Sequence, residues 1–200
     1  ATNDWQDQVY GRTGHTINHA LNISGGSDAT QYAFSYAHMD DKDIMKSSDY
    51  TRDNLSLKLK HKINKKFTLD FQSRWSRTTI NGGGANEVSS TYNTDKRLRY
   101  AVQFVPFPVA GITGLSDDDS DPSGNFYHPL TSISDNDQKR KRNQLNMSGA
   151  FTWEIIKNLK FKTEFGYDLY NENTDRFYGT TTFYVKNVPA QENQGKPATT

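Results

Sequence analysis

Three aspartates carry the clearest metal-binding pattern in the sequence. Asp117, Asp119 and Asp121 stand at alternate positions, which is how the ligands of a calcium loop begin. The pattern then departs from such a loop, because Pro122 stands where Gly is needed and His128 stands where Glu is needed. We keep the three aspartates as calcium candidates, against the alternative of a solvated acidic loop.

The other residue types that catalyse reactions or bind metals lack the spacing that either task needs. No two histidines form a His-x-His or His-Glu-x-x-His motif; the five are His15, His19, His38, His61 and His128. There is no Cys, no Gly-x-Ser-x-Gly motif, and no Lys-Ser/Thr after Gly82-Gly83-Gly84. The sequence therefore predicts no enzyme, no cofactor and no metal site beyond the three aspartates.

The charges are balanced, with 24 Lys and Arg against 23 Asp and Glu. Such a balance gives no reason to expect a nucleic-acid partner. The run Lys139-Arg140-Lys141-Arg142 is locally basic, but it follows the acidic stretch at 117–119. Mixed charges of this kind predict a solvated loop.

Aromatic residues are frequent in the same central region. Those at Tyr92, Tyr100, Phe104, Phe107 and Tyr127 could stack on sugar rings or pack a small core within a long loop, and both alternatives stay open. Residues 95–105 have apolar side chains near one helical face, which predicts a short helix.

The elements that must position these residues are strands. Apolar and polar residues alternate with a period of two, although only 33% of the residues are hydrophobic and the mean hydropathy is −0.89. An aromatic content of 12% argues against a disordered chain. The alternation predicts six strands in an all-β, antiparallel, up-and-down arrangement, at about 16–24, 31–39, 52–63, 67–79, 142–155 and 159–171.

The predicted connections alternate between short and long. Tight turns are expected near 25–30, 64–66 and 156–158, and longer connections at about 40–51 and 80–140, the last as one long external loop. Outer-membrane barrels segregate short periplasmic turns from long external loops in this way. One face of the strands carries charges that would suit a wet lumen, and these are Lys58, Lys60, Asp70, Arg74, Glu154, Lys160, Glu164 and Asp168. The other face carries none at its centre, as lipid contact requires.

Aromatic residues fall near both ends of the predicted strands. Phe67 and Trp153 lie beside short turns, and Tyr36 and Trp75 lie toward long loops, which is where two aromatic girdles would be. An antiparallel sheet with one solvated face would show the same alternation, so a soluble protein remains an alternative.

Several motifs resemble the barrel of SusC/RagA-like TonB-dependent transporters, in order along nearly the whole chain. They are Asp4-Trp5-Gln6-Asp7-Gln8-Val9-Tyr10, Asn18-His19-Ala20-Leu21-Asn22-Ile23-Ser24-Gly25-Gly26-Ser27, Tyr32-Ala33-Phe34-Ser35-Tyr36, Leu98-Arg99-Tyr100-Ala101 ahead of Pro106-Phe107-Pro108-Val109, Asn125-Phe126-Tyr127-His128-Pro129-Leu130, and residues 159–168. The resemblance implies a partial domain over residues 1–200 of a 22-strand transmembrane barrel that lacks its amino-terminal plug.

The same resemblance implies a function and partners. It implies active import of oligosaccharides or peptides across the outer membrane of a Bacteroidetes-type bacterium, with a SusD-like surface lipoprotein as partner and with TonB acting through the missing plug. The residues that contact substrate are unknown. Two other classes compete with this interpretation: a soluble β-sandwich that binds carbohydrate, and a secreted β-fold glycoside hydrolase with two converging carboxylates.

Overall fold

Six long antiparallel strands form a sheet in which each strand lies beside its sequence neighbours. The structure is a computed structural model that describes residues 2–82, 101–102, 104, 106, 128–179 and 198–199. In chain order its elements are α1 (Trp5–Tyr10), β1 (His15–Gly26), β2 (Thr30–Lys42), β3 (Asp49–Lys62), β4 (Phe67–Asn81), α2 (Pro129–Ser134), β5 (Asn136–Ile156), β6 (Leu159–Tyr178) and β7 (Ala198–Thr199). The sheet order is β1 to β7 without a crossover. The all-β, antiparallel, up-and-down prediction is therefore confirmed.

The strands differ from the predicted ones mainly at their ends. β3 begins three residues earlier than predicted and ends before Ile63, whose N–H donates to the Phe67 carbonyl in the turn. β5 begins at Asn136, so the run at 139–142 lies in a strand, and the prediction of a solvated loop there is wrong. Backbone pairing with β4 on one side and β6 on the other holds these polar residues in a strand. Those partners cannot be inferred from the local sequence pattern.

Short and long connections lie at opposite ends of the sheet. The short ones are residues 27–29, 63–66 and 157–158, and the longer ones are 43–48 and 82–135. Side chains fix the short turns: Ser27 Oγ accepts from Thr30 N at 3.2 Å, and Asn64 Oδ1 accepts from Lys66 N at 2.8 Å. Asn158 adopts φ 69°, a left-handed conformation that Asn tolerates and tight hairpins require. We call the two ends the short-turn end and the long-loop end.

The buried core of the described residues lies beside the sheet and not within it. Val9, Met45, Ala101, Phe104 and Ile133 are the buried hydrophobic residues, and none of them is in a strand. Strand residues such as Phe165 remain 71% exposed. No helix in the described parts of the chain is long and apolar enough to cross a membrane.

This small core belongs to a cap at the long-loop end, made of α1, loop 43–48, α2 and the described residues of 101–106. Asp4 caps the start of helix α1, where its carboxylate accepts from Asp7 N at 2.9 Å, and His128 caps the start of helix α2, where its Nδ1 accepts from Thr131 N at 3.4 Å. One side chain, Arg12, connects loop 43–48 to the segment between α1 and β1. Its guanidinium donates to the carbonyls of residues 43, 45 and 48 at 2.8–3.0 Å and forms an ion pair with Asp49 at 3.0 Å.

The cap bears on two predictions about the central region. Phe104 packs edge-on against Trp5 and His128, with ring centroids 5.7 and 5.2 Å apart, so this aromatic packs a core. Tyr92, Tyr100, Phe107 and Tyr127 lie outside the described residues. Of the predicted helix at 95–105, residues 101–102 are helical, and most of the remainder lies outside the description.

Candidate functional site: the two faces of the sheet

Strand register gathers the apolar side chains onto one face of the sheet. Residues that are directly opposite in antiparallel strands point the same way, so the register defines rows across the sheet. Three successive rows are Tyr32-Leu59-Phe71-Gly149-Phe165, Ile23-Phe34-Leu57-Ser73-Met147-Tyr167 and Leu21-Tyr36-Leu55-Trp75-Leu145-Leu169. We call this side the apolar face.

Aromatic residues bound the apolar face at the short-turn end. The ring of Phe67 stacks on Phe151 at 5.5 Å and on Trp153 at 6.0 Å between centroids, and Phe161 is paired opposite Trp153. Tyr36 and Trp75 lie in the row nearest the long-loop end. Between these two limits, along β4 from Phe67 to Trp75, the face carries no Asp, Glu, Lys or Arg among the described strands.

The charge-free region ends abruptly in the next row toward the long loops. There Asp53 accepts from the Tyr36 hydroxyl at 2.9 Å and pairs with His38 Nδ1 at 2.8 Å. Arg77 stands directly opposite Asp53 on the neighbouring strand. Polar groups of this strength are found where water reaches them, so the row containing Asp53 marks the edge of the apolar face.

The opposite, polar face carries the charges predicted from the sequence. All eight of those residues alternate with apolar-face residues in the register, so the structure brings them to one side. The cations divide along the strands. Those near the short-turn end are Lys58, Lys60, Lys62, Lys160 and Lys162, and those nearer the long-loop end are Arg52, Arg74, Arg140, Arg142 and Arg176.

Ion pairs connect the polar-face strands. Glu172 accepts from Arg142 Nε at 2.7 Å and from the Tyr170 hydroxyl at 2.5 Å, and its other oxygen lies 3.5 Å from Arg140 Nε. Nearer the short turns, Lys160 lies 3.7 Å from Glu154, and Lys60 lies 4.0 Å from Asp70. Each exposed pair contributes little stability in water, so their value lies in keeping this face charged and hydrated.

A groove of about 550 Å³ runs across the polar face near the short-turn end. Its charged walls come from Lys58 and Lys60 on β3, Asp70 on β4 and Glu164 on β6, and its floor includes Gly149 and Gly166. A groove with both charge signs and no nucleophile–base pair is suited to holding water or a polar protein segment.

The structure assigns local roles to the histidines. His38 pairs with Asp53, His61 Nδ1 lies 2.7 Å from the Thr30 hydroxyl, and His128 caps α2. His15 and His19 lie exposed on β1. Among the described residues no three His, Asp or Glu converge as metal ligands. The calcium candidates Asp117, Asp119 and Asp121 lie outside the described residues and remain a prediction.

Arg12 is a structural residue that the sequence interpretation did not single out. Its role depends on backbone carbonyls of a loop 31–36 residues away in the chain, so no local spacing could have identified it.

Two known TonB-dependent receptors are similar to this chain in sequence. The TonB-dependent receptor P3 of Formosa agariphila is 28% identical over 194 residues, covering 90% of this chain and 18% of the relative. The TonB-dependent receptor SusC of Bacteroides thetaiotaomicron is 26% identical over 184 residues, covering 83% of this chain and 18% of the relative. The chain thus spans less than a fifth of the length of these relatives. No protein-family model matches it.

Solved structures agree on the fold. The RagAB peptide importer in its closed-closed state superposes with a TM-score of 0.62 at 16% identity, covering 90% of this chain and 20% of that chain. A structure of the RagAB peptide transporter gives 0.61 at 21% identity, covering 88% and 20%. The sheet therefore has the fold of part of a TonB-dependent barrel. More particularly, sequence and fold together support a SusC/RagA-like fragment.

Proposed function

We propose that the chain is a wall segment of an outer-membrane TonB-dependent transporter. The observation that carries the proposal is the contrast between the faces: one is charge-free and exposed over its central rows, and the other is charged and grooved. The apolar face would contact lipid and the polar face would line the lumen. The segregation of short and long connections supports the same orientation, with the long-loop end outside the cell.

The height of the apolar face supports this assignment. From Phe67 to Trp75 the strand advances eight residues, or about 27 Å at ~3.4 Å per residue. At the usual strand tilt of about 40°, this corresponds to roughly 21 Å along the membrane normal, close to the apolar band of about 25 Å that such barrels present.

The whole protein would be an importer and not an enzyme. We propose a 22-strand barrel with an amino-terminal plug, driven through TonB, together with a SusD-like surface lipoprotein. The substrate would be an oligosaccharide or a peptide. Support comes from the relatives, two of which are TonB-dependent receptors and one of which is a peptide importer.

In this mechanism the chain supplies a rigid, hydrated wall. Backbone pairing along β3 to β6 fixes the strands, and the charged groove near the short-turn end would accept the polar surface of the plug. The arginines nearer the long-loop end would border the path by which substrate enters from outside. The cap would give the outer rim a fixed shape.

The test is the native size and location of the polypeptide that contains this chain. An antibody raised against residues 157–179 should detect a heat-modifiable outer-membrane band several times larger than 22.7 kDa that copurifies with a lipoprotein. A water-soluble species near 22.7 kDa would instead favour the alternative of a carbohydrate-binding module, and glycan arrays would then be the next measurement.

A further inference from the structure

Lys58 and Arg74 are polar-face cations on adjacent strands. Lys58 is paired directly with Gln72 in the register, and Arg74 lies two residues further along β4, so the two cations are diagonal neighbours. Such neighbours are about 7–8 Å apart at their Cα atoms, within reach of one another for long side chains. Both side chains are exposed, and neither forms an ion pair with any residue that the structure describes. A single anion from outside the described chain can therefore contact both.

The residues around Arg74 include no acid. On the two adjacent strands its direct partners and diagonal neighbours are Ser56, Asn146, Asn54, Lys58, Gln144 and Ser148. With its amide oxygen turned to the guanidinium, Gln72 accepts from Arg74 Nε at 3.0 Å and from Nη2 at 3.1 Å. The outer N–H groups of the guanidinium, around Nη1, have no acceptor among the described residues. Because Gln72 lines the polar-face groove, this contact holds the guanidinium at the edge of the groove.

Asp70 is the one acidic residue in a direct or diagonal position around Lys58. It is paired directly with Lys60, whose Nζ lies 4.0 Å from Asp70 Oδ1, and it has Lys62 as its other diagonal neighbour on β3. One carboxylate is thus shared by three lysines, and Arg74 adds a further cation beyond its reach. The described residues therefore leave excess positive charge at this edge of the groove.

The floor of the groove beside these cations is low. In the row of Lys58 and Gln72, the next two positions are Ser148 and Gly166. A Cβ added to Gly166 would meet nothing within 4 Å, its φ is not in the left-handed region, and the register of β5 and β6 is regular there. Glycine inside a strand, where no bulge needs it, marks a place where another backbone or a ligand approaches closely. The groove has room for a side chain from outside, to which the Ser148 hydroxyl can add a hydrogen bond.

We propose that Lys58 and Arg74 bind a carboxylate, supplied by an Asp or Glu side chain of the polypeptide segment that occupies the groove. The inference rests on the proposed function, because it requires the polar face to line the lumen. The planar guanidinium matches a carboxylate, and the ammonium group adds a point charge. A doubly charged phosphate is less suited, because Asp70 and Glu164 on the groove walls would repel it more strongly.

The position of the groove favours a protein segment over substrate. The groove lies near the short-turn end, whereas substrate would enter from the long-loop end. Its walls carry both signs of charge, which complement the mixed charges of a protein surface. Close approach of a backbone at Gly166 also suits an ordered segment that stays in place.

The test couples Lys58 to its partner in the full-length protein, in isolated outer membranes without added substrate. A water-soluble carbodiimide joins an amine to a carboxylate in direct contact, forming an amide bond while the reagent takes up the water. Peptide mass spectrometry then identifies the partner. Lys60 and Asp70 are the internal reference, and the result is taken from samples in which these two are joined. We expect Lys58 to be joined to an Asp or Glu of the same polypeptide outside residues 1–200.

Three variants separate the roles of the cations. Lys58→Arg keeps the positive charge but has no amine, so its cross-link should disappear while that between Lys60 and Asp70 remains. Arg74→Gln should lower the yield of the Lys58 cross-link roughly fivefold, because a charge-assisted hydrogen bond to the carboxylate is lost. Arg52→Gln makes the same charge change on the polar face nearer the long-loop end, and should leave the yield unchanged.

The outcomes distinguish the inference from the proposed function. Coupling of Lys58 to Asp70 alone, to a separate polypeptide, or to no carboxylate would overturn the inference. Equal yields in the Arg74→Gln and Arg52→Gln variants would also overturn it. The proposed function fails on a different observation, which is absence of the polypeptide from the outer-membrane fraction.

Discussion

The cap and the sheet are stabilised in opposite ways. In the cap, Val9 is fully buried and Met45 and Ile133 are 5% exposed, all packed in a single cluster. In the sheet, apolar side chains as large as Phe165 remain exposed and the described strands contribute no buried hydrophobic residue. The cap supplies its own core, whereas the described residues leave the apolar face of the sheet uncovered.

The cap is stabilised by contacts within the segment, whereas the described residues leave the apolar face without such contacts. The outer rim keeps its shape through contacts within the chain, including the four bonds from Arg12. The wall keeps its backbone pairing, and under the proposed function the free energy of its apolar face depends on lipid. Substitutions in the two regions should therefore have separable effects in the full-length protein.

The largest effect should come from a charge in the middle of the apolar face. Met147→Arg places a cation in the central row, which should cost about 2–4 kcal/mol of folding free energy in lipid. Ser148→Arg puts the same side chain on the polar face and should cost much less. Heat-modifiable mobility after folding into vesicles measures both. Equal losses in the two variants would remove the distinction between the faces.

Loss of Arg12 should loosen the cap without affecting the wall. Arg12→Ala removes hydrogen bonds from a charged group to three carbonyls and to Asp49, which should cost about 1.5–3 kcal/mol of local stability. Amide hydrogen exchange over residues 43–49 should accelerate, while exchange in β5 stays unchanged. Lys46→Ala, an exposed substitution in the same loop, is the control. Faster exchange in β5 as well would show that cap and wall unfold together.

A smaller effect is expected from trimming the cap core. Ile133→Val deletes one buried methyl group and should cost about 0.5–1.5 kcal/mol. The matched control is Ile156→Val, at a position that is 63% exposed in the structure. Protease cleavage within the cap should increase only for the first variant. Equal sensitivity in both would contradict the assignment of the core to the cap.

The smallest effect should come from the ion pairs of the polar face. Glu172→Gln weakens the contacts to Arg140 and Arg142, but exposed pairs contribute only about 0.2–1 kcal/mol. Denaturant titration in lipid should show a small loss that added salt reduces further. A loss as large as that for Met147→Arg would mean that Glu172 is shielded from water.

The strands could be predicted from sequence because their period-two alternation is visible within each short stretch of residues, as in Leu55, Leu57 and Leu59 of β3. The polar beginning of β5 could not, because residues 136–141 become a strand only through pairing with β6 and, from Lys139 onward, with β4 as well. Helix α1 was missed for a similar reason. It has six residues, and its Val9 is buried by partners from distant loops. The charged face was predicted correctly, whereas its division into lysine and arginine regions depends on register.

The most direct test of the two-faced wall is cysteine accessibility along β6. The chain has no native Cys, so single cysteines at positions 165–169 can be compared in vesicles, in a full-length protein from which any Cys outside this chain has been removed. A membrane-impermeant maleimide should label positions 166 and 168 and leave 165, 167 and 169 unlabelled. Labelling of all five positions, or labelling of 165, 167 and 169 with 166 and 168 unlabelled, would contradict the assignment of lipid to one face and water to the other.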